Sequence, residues 1–421
     1  MAGSRGTAER IQLGVAAVLL PLAVGLAVAA AAMLYTTPEV FAQHLINGLT
    51  LGALFALIAL GYTMVYGIIE LINFAHGEVF MVGSFVGLIA IQTCFGFGVT
   101  SIWIVGPAAL ILAMVACAAL GVALDSVAYK PLRRTPTWSA ILMASFAVAG
   151  LALLVRGEAA GLGPARIAGY VLLVGGAWLA FHLDERSPSP PRSTPRLNAL
   201  LSAIGASIFL QNLVMLMVGR DTQPFPQLSD FTGLSSTHWD IGGIRLLYIE
   251  PITLFAAIGL MIALDVFVSR TRLGKGMRAT AQDPEAAMML GIPVNRVITT
   301  TFVVGSGLAA AAGILYGLRY GGVKFNDGFI IGLKAFVAAV LGGIGNIRGA
   351  MLGGFLLGLS ETVVIATMEF GWEGIGARTG DDDWPHAEFH DYKDAIAFLI
   401  LVVVLSFRPS GLLGAPDIEK V

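Results

Sequence analysis

Two stretches gather most of the side chains that could do chemistry. In LINFAHGE, at Leu71–Glu78, Asn73, His76 and Glu78 bring an amide, an imidazole and a carboxylate into an otherwise apolar run, with Gly77 among them and Glu70 just ahead. Such groups are costly against lipid, so they must face protein, a water-filled path or the aqueous boundary. The spacing places Glu70, Asn73 and Gly77 on one helical face. A plain turn between two crossings and a functional break in a membrane helix both fit this pattern.

The second stretch, RTRLGKGMRATAQDPEAAMMLGIPVNR at 270–296, is polar and contains a short helix written in capping residues. Asp283 is a natural N-cap, Pro284 suits the first helical position, and Glu285 favours the positive helix end. Gly291 can close the helix with a left-handed residue, and Pro293 prevents continuation. On capping alone this is a connector at a membrane surface.

Other polar residues stand inside apolar runs: Gln211 and Asn212 in one, Asn346 and Arg348 in GLKAFVAAVLGGIGNIRG at 332–349. The latter reads either as two short helices around a break on a transport path or as a tight turn at the surface. Missing motifs narrow the function further. LGKGM lacks the first glycine and the hydroxyl residue of a phosphate-binding loop, and no strand precedes GGIGNIRG to make it a dinucleotide fingerprint. No nucleophile with its base and no metal-ligand cluster is found, so no catalytic role and no cofactor are expected of this chain. Cys94 and Cys117 lie apart in apolar runs. His386 and His390 have i, i+4 spacing beside three aspartates, but without a capped helix to hold them the better reading is an exposed acidic loop.

The elements that must position these residues are membrane helices. Of 421 residues 57% are hydrophobic and only 12% charged, about half the charged fraction of a soluble domain. A net charge of −2 leaves no electrostatic footprint for nucleic acid. A bilayer core of about 30 Å needs roughly 20 apolar residues per helix. Runs of that kind fall near 11–33, 43–68, 77–95, 101–124, 138–155, 168–183, 198–218, 247–268, 297–320, 331–345, 350–368 and 393–407. The expected fold is an all-α integral membrane protein, a polytopic bundle of about 10 to 12 segments including broken or re-entrant helices. With every run crossing, 16 of the 25 basic residues fall on the side of the N-terminus, which makes both termini cytoplasmic. The run ahead of residue 36 reads as an extra N-terminal helix or signal anchor, and a cleaved signal is the alternative.

The sequence also resembles a known family. Glu285-Ala286-Ala287 followed by Gly291 resembles the EAA loop of ATP-binding-cassette importer permeases, without the residues that often follow its glycine. The stretch from Leu45 to Phe85, with INFAHGE intact at Ile72–Glu78, is similar to the shorter permease of the branched-chain amino acid (Liv-type) importers; Glu70 departs where glycine is common. Three further blocks agree in order, at 202–226, 332–361 and 392–414. The chain is thereby divided into a permease domain at 37–421 with an inserted helix pair at 136–194. The resemblance implies coupling to an ATPase through Asp283, Glu285, Ala286, Ala287 and Gly291. It also implies a translocation path past Asn73, His76, Gly77, Glu78, Gln211, Asn212 and Asn346. ATP would be bound by two ATP-binding cassette subunits, beside a paralogous permease and a periplasmic or extracellular substrate-binding protein, in a bacterial inner membrane. Two alternatives remain at this point: an ion-coupled secondary transporter, for which Glu70 or Glu361 could supply the buried carboxylate, and a permease for urea or short amides.

Overall fold

The computed structural model describes residues 25–130, 145–153, 167–176, 196–232, 238–379, 389–408 and 410–414. In chain order the main helices are α1 (Pro38–Ile69), α2 (His76–Gly96), α3 (Ile102–Leu124), α4 (Arg196–Val218), α5 (Ile249–Arg270) and α6 (Arg272–Gln282). They continue with α7 (Pro284–Met289), α8 (Val294–Tyr320), α9 (Asp327–Gly342), α10 (Ile347–Thr379) and α11 (Lys393–Phe407). A π-helical turn, Asp125–Tyr129, prolongs α3. Among the described residues seven helices are long and apolar enough to cross a bilayer: α1 to α5, α8 and α10. Shorter apolar helices, Gly25–Thr36 and Ile167–Gly176, fall within the expected first span and the inserted pair. Residues 1–24, most of the insertion and His386 lie outside the described residues.

The expected spans at 331–345 and 393–407 become α9 and α11, with 16 and 15 residues. At 1.5 Å per residue each covers only about 22 to 24 Å, and the packing shows why this suffices. Gly77 at the start of α2 lies against Gly328 and Gly332 of α9, so close that a Cβ on any of the three would meet the opposing backbone. Both helices therefore begin inside the bundle. Asp394, at the start of α11, lies 2.6 Å from Lys334 of α9.

One of these half-length helices, α9, belongs to a repeated unit of inverted sense, α1–α2 and α8–α9. A long helix, α1 or α8, ends in a left-handed residue: Glu70 with φ 54° in one case, Gly321 with φ 71° in the other. Six residues follow, 70–75 or 321–326, before the next helix starts at His76 or Asp327. α1 and α8 run antiparallel: Arg319 Nη2 donates to Asn47 Oδ1 at 2.9 Å at one end, and Val65 packs with Ile298 and Phe302 near the other. α10 crosses α1 through small residues, with Gly354 and Gly358 against Ala56 and Gly52, as membrane helices do when backbones approach closely.

Two faces result. One carries α6 and α7; it is called the connector face below. The other carries a two-stranded hairpin, β2 (His238–Ile241) with β3 (Ile244–Leu247), turned by Gly242 and Gly243, both at positive φ. On the same side, β1 (Gln223–Pro224) pairs with β4 (Gly322–Val323), at the end of α8. The break expected at 343–349 is a turn on the connector face, and the helix after it is one continuous rod of 33 residues, not a second short helix. The interrupted segments are the links 70–75 and 321–326.

Candidate functional site

The link 70–75 carries its polar residues back into the bundle, where distant helices meet them. Asn73 is 2% exposed, and its Oδ1 accepts a hydrogen bond from the hydroxyl of Tyr129 at 2.8 Å. His76 is 1% exposed, its ring edge-on to Tyr62 with centroids 4.8 Å apart. Its Nε2 lies beside Gly61 of α1, where a Cβ would collide with the imidazole, and the polar contact of the ring is with the backbone of Ile58, in the same helix. Glu78 accepts from Ser207 of α4 at 3.2 Å, while its Oε2 lies unpartnered beside Gly328. Buried polar groups are nearly always satisfied, so the unpaired oxygen of Glu78 beside the buried imidazole, where α2 and α9 begin, makes this the candidate site.

Asn73, His76, Gly77 and Glu78 are thus brought together, as the resemblance implies, but Glu70, Asn73 and Gly77 do not share the helical face expected from their spacing, because residues 70–75 form a non-helical link that leaves Glu70 exposed. Gln211 and Asn212 are not part of this group. Asn212 is exposed and bonds back to Ile208 O of its own helix at 2.8 Å, while Gln211 is half-buried one helix away. Asn346 also lies apart, on the connector face. Its Oδ1 accepts from the N–H groups of Arg348 and Gly349 at 3.1 Å each, and its Nδ2 donates to Leu413 O at 2.7 Å, so it caps α10 and ties down the segment after α11. Glu70 sits exposed at the end of α1 in the left-handed region, a conformation that glycine adopts more readily than any other residue. Tyr62, Tyr129 and Ser207 complete the locus, and nothing local singles them out, because each reaches it from another helix.

A second buried polar group lies nearby. Lys334 Nζ donates to Glu361 Oε1 at 2.8 Å with both side chains 5% exposed, and its second carboxylate is Asp394 of α11. One lysine thereby holds α9, α10 and α11 together. Arg319 and Glu250 form a comparable pair at 2.8 Å near the hairpin face.

On the connector face, α7 has the expected form. Asp283 Oδ1 accepts from Glu285 N at 2.9 Å and Ala286 N at 3.0 Å, satisfying two of the orphan donors at the helix start. Gly291 has φ 81°, and the N–H of Ile292 returns to Ala287 O at 3.0 Å to close the C-terminal turn. The two alanines face differently from one another. Ala287 is buried against Val294 and Ile298 and anchors the helix to its own bundle, whereas Met289 and Leu290 are 83% and 81% exposed. The free surface of α7 is therefore Glu285, Met289 and Leu290, with Ala286 half-buried at its edge.

Comparison with known proteins supplies the wider frame. The permease protein BraD of the high-affinity branched-chain amino acid transport system of Pseudomonas aeruginosa is 38% identical over 388 residues, 91% of this chain and 100% of that protein. The corresponding LivH protein of Salmonella typhimurium is 36% identical over 386 residues, 90% of this chain and 98% of its own length. A more distant match, 26% over 219 residues, is LsrC of Yersinia enterocolitica, an autoinducer 2 import system permease, covering 50% of this chain and 53% of that one. No solved structure matches. Residues 44–183 and 189–405 match the family described as branched-chain amino acid transport system / permease component, and with most of its length so matched, the chain belongs to that family of membrane permeases.

Proposed function

We propose that this chain is the membrane subunit of an ATP-driven importer of branched-chain, hydrophobic amino acids. It works beside a paralogous permease, two ATP-binding cassette subunits that bind the ATP, and a secreted substrate-binding protein. The connector face is cytoplasmic, both chain termini lie on that side, and the membrane is the bacterial inner membrane.

The observation that carries this reading is α7. It is a six-residue helix capped at both ends and anchored inward by Ala287, with two large apolar side chains offered to water. A lone connector gains nothing from exposing Met289 and Leu290, whereas a helix that seats in a partner's cleft buries them. Supporting the cargo class, two relatives matched over nine-tenths of this chain are named for branched-chain amino acids. The carboxylates that an ion-coupled carrier could use are differently employed: Glu361 is paired with Lys334, and Glu70 is exposed at a helix end. In this mechanism α7 transmits the closing of the ATPases to α6 and α8, which flank it, and α8 passes the movement to the locus at His76 through Gly305 and Gly61. The test is leucine uptake by proteoliposomes holding the complete complex, with ATP inside and binding protein outside. ATP-dependent uptake of leucine, isoleucine and valine is expected. Uptake driven by an ion gradient without ATPases, or transport of urea but not leucine, would overturn the reading.

A further inference from the structure

The connector face holds a cleft of about 1180 Å³ that neither the locus at His76 nor the outer surface of α7 occupies. Its walls are the inner ends of α1, α5, α9 and α10, the side of α6, and residues 410–414. Met64, Ile68, Val268, Val340, Ile344 and Ile347 make much of the lining apolar. Opposite charges stand in the same cleft. Arg348 Nε approaches Asp265 Oδ1 at 3.4 Å, with the two side chains 77% and 35% exposed. Arg278, from α6, donates to Ser269 O at 3.2 Å.

The Asp265–Arg348 pair is poorly made as a structural tie. It is long, it uses only Nε, and an exposed pair of this kind contributes little to stability. Among the described residues, the terminal guanidinium nitrogens of Arg348 and the second oxygen of Asp265 have no hydrogen-bond partner. A guanidinium fork is shaped for a carboxylate, and a carboxylate a few ångströms away is placed for an ammonium group. An apolar wall beside such a pair matches a zwitterion with a hydrocarbon side chain.

We propose that this cleft binds a free α-amino acid with an aliphatic side chain. Arg348 takes the carboxylate, Asp265 the ammonium group, and the wall formed by α1, α5 and α9 the side chain. The zwitterion follows from the charge pair, while the choice of aliphatic cargo rests on the permease reading above. The site would meet amino acid already delivered to the connector side.

The experiment uses the complete complex in inside-out vesicles, with Ser269→Cys as a reporter in the cleft and a membrane-impermeant maleimide as the reagent. Leucine should slow alkylation saturably. Leucinamide, which lacks the carboxylate, and 4-methylpentanoate, which lacks the ammonium group, should not. Arg348→Gln should raise the half-protecting leucine concentration at least about tenfold, since it removes a charge-assisted bidentate contact; Asp265→Asn is the second arm if that variant fails to assemble. The proposal is overturned if leucine never protects, if the two analogues protect equally well, or if neither substitution changes protection. Because labelling reports the cleft directly and ATP-driven uptake reports transport, either reading can fail without the other.

Discussion

At Gly77 the backbone of α2 lies directly on α9, and this contact decides where His76 and Glu78 sit. A methyl group there would meet the carbonyl of Gly328 and the Cα of Gly332, both backbone atoms that cannot rotate aside. Overpacking of this kind typically costs about 1 to 3 kcal/mol. Gly77→Ala should therefore lower the melting temperature of the purified complex and reduce uptake, whereas Gly259→Ala, with nothing near it on α5, should do neither. Equal behaviour of the two variants would show that the helices do not meet here. Asn73 offers a separate reading of the same locus. Tyr129→Phe removes the donor to Asn73 Oδ1 and leaves a buried acceptor unpaired, a loss of about 1 to 3 kcal/mol. If Asn73→Leu on the Tyr129→Phe background recovers thermal stability but not uptake, the amide serves transport; recovery of both would make it a packing residue. Ser207 and Tyr62 show why only half of this locus is legible in the sequence. INFAHGE can be recognised because polar residues interrupt an apolar run, but a serine or tyrosine in another helix looks like any other until the helices are packed.

At the scale of elements, the long helices and the capped connector are readable from the chain because their causes are local. Apolar length defines α1 or α8, and Asp283, Pro284 and Gly291 define α7. The half-length helices are not readable in this way. A run such as 331–345 has the hydropathy of a crossing, and only its contact with Gly77 and its tie to Glu361 and Asp394 show that it begins inside the bundle. The expectation for Ala287 shifts for the same reason: spacing alone puts it on a docking helix, but packing turns it inward. The three functions of α7 can now be separated. Gly291→Pro cannot adopt φ 81° and should disconnect the helix from α8, abolishing coupling while leaving insertion intact. Asp283→Ala removes both capping bonds at a cost of about 0.5 to 2 kcal/mol and should weaken coupling partially. Leu290→Glu changes only the exposed surface and should reduce co-purification of the ATPases with no change in the amount of permease in the membrane. Normal co-purification and coupling in all three would make α7 an ordinary connector.

For the whole molecule, the inverted repeat of α1–α2 and α8–α9 explains how so apolar a chain can place polar residues in its interior. Each unit sends one link inward from an opposite face, and the starts of α2 and α9 meet at Gly77 and Gly328, so the interrupted backbone is covered by protein instead of lipid. That arrangement requires the connector and hairpin faces to lie on opposite sides of the membrane, and the proposed orientation, which makes the connector face the inner one, rests on the charge count. Arg270, Arg272, Lys275 and Arg278 cluster on it, whereas the hairpin segment 238–247 holds Arg245 beside Asp240. Cysteine labelling tests both statements, provided that the reporter sites are chosen from the packing. Gly274 is unsuitable, because any side chain there would strike the carbonyls of Phe267 and Val268, but Lys275 beside it is exposed. An impermeant maleimide should label Asp240→Cys in intact cells, and should label Lys275→Cys only after the inner membrane is opened. Labelling of both from outside would remove the opposed faces on which the repeat depends. Labelling of Lys275→Cys alone would keep the repeat but turn the molecule over, placing α7 where no ATPase could reach it.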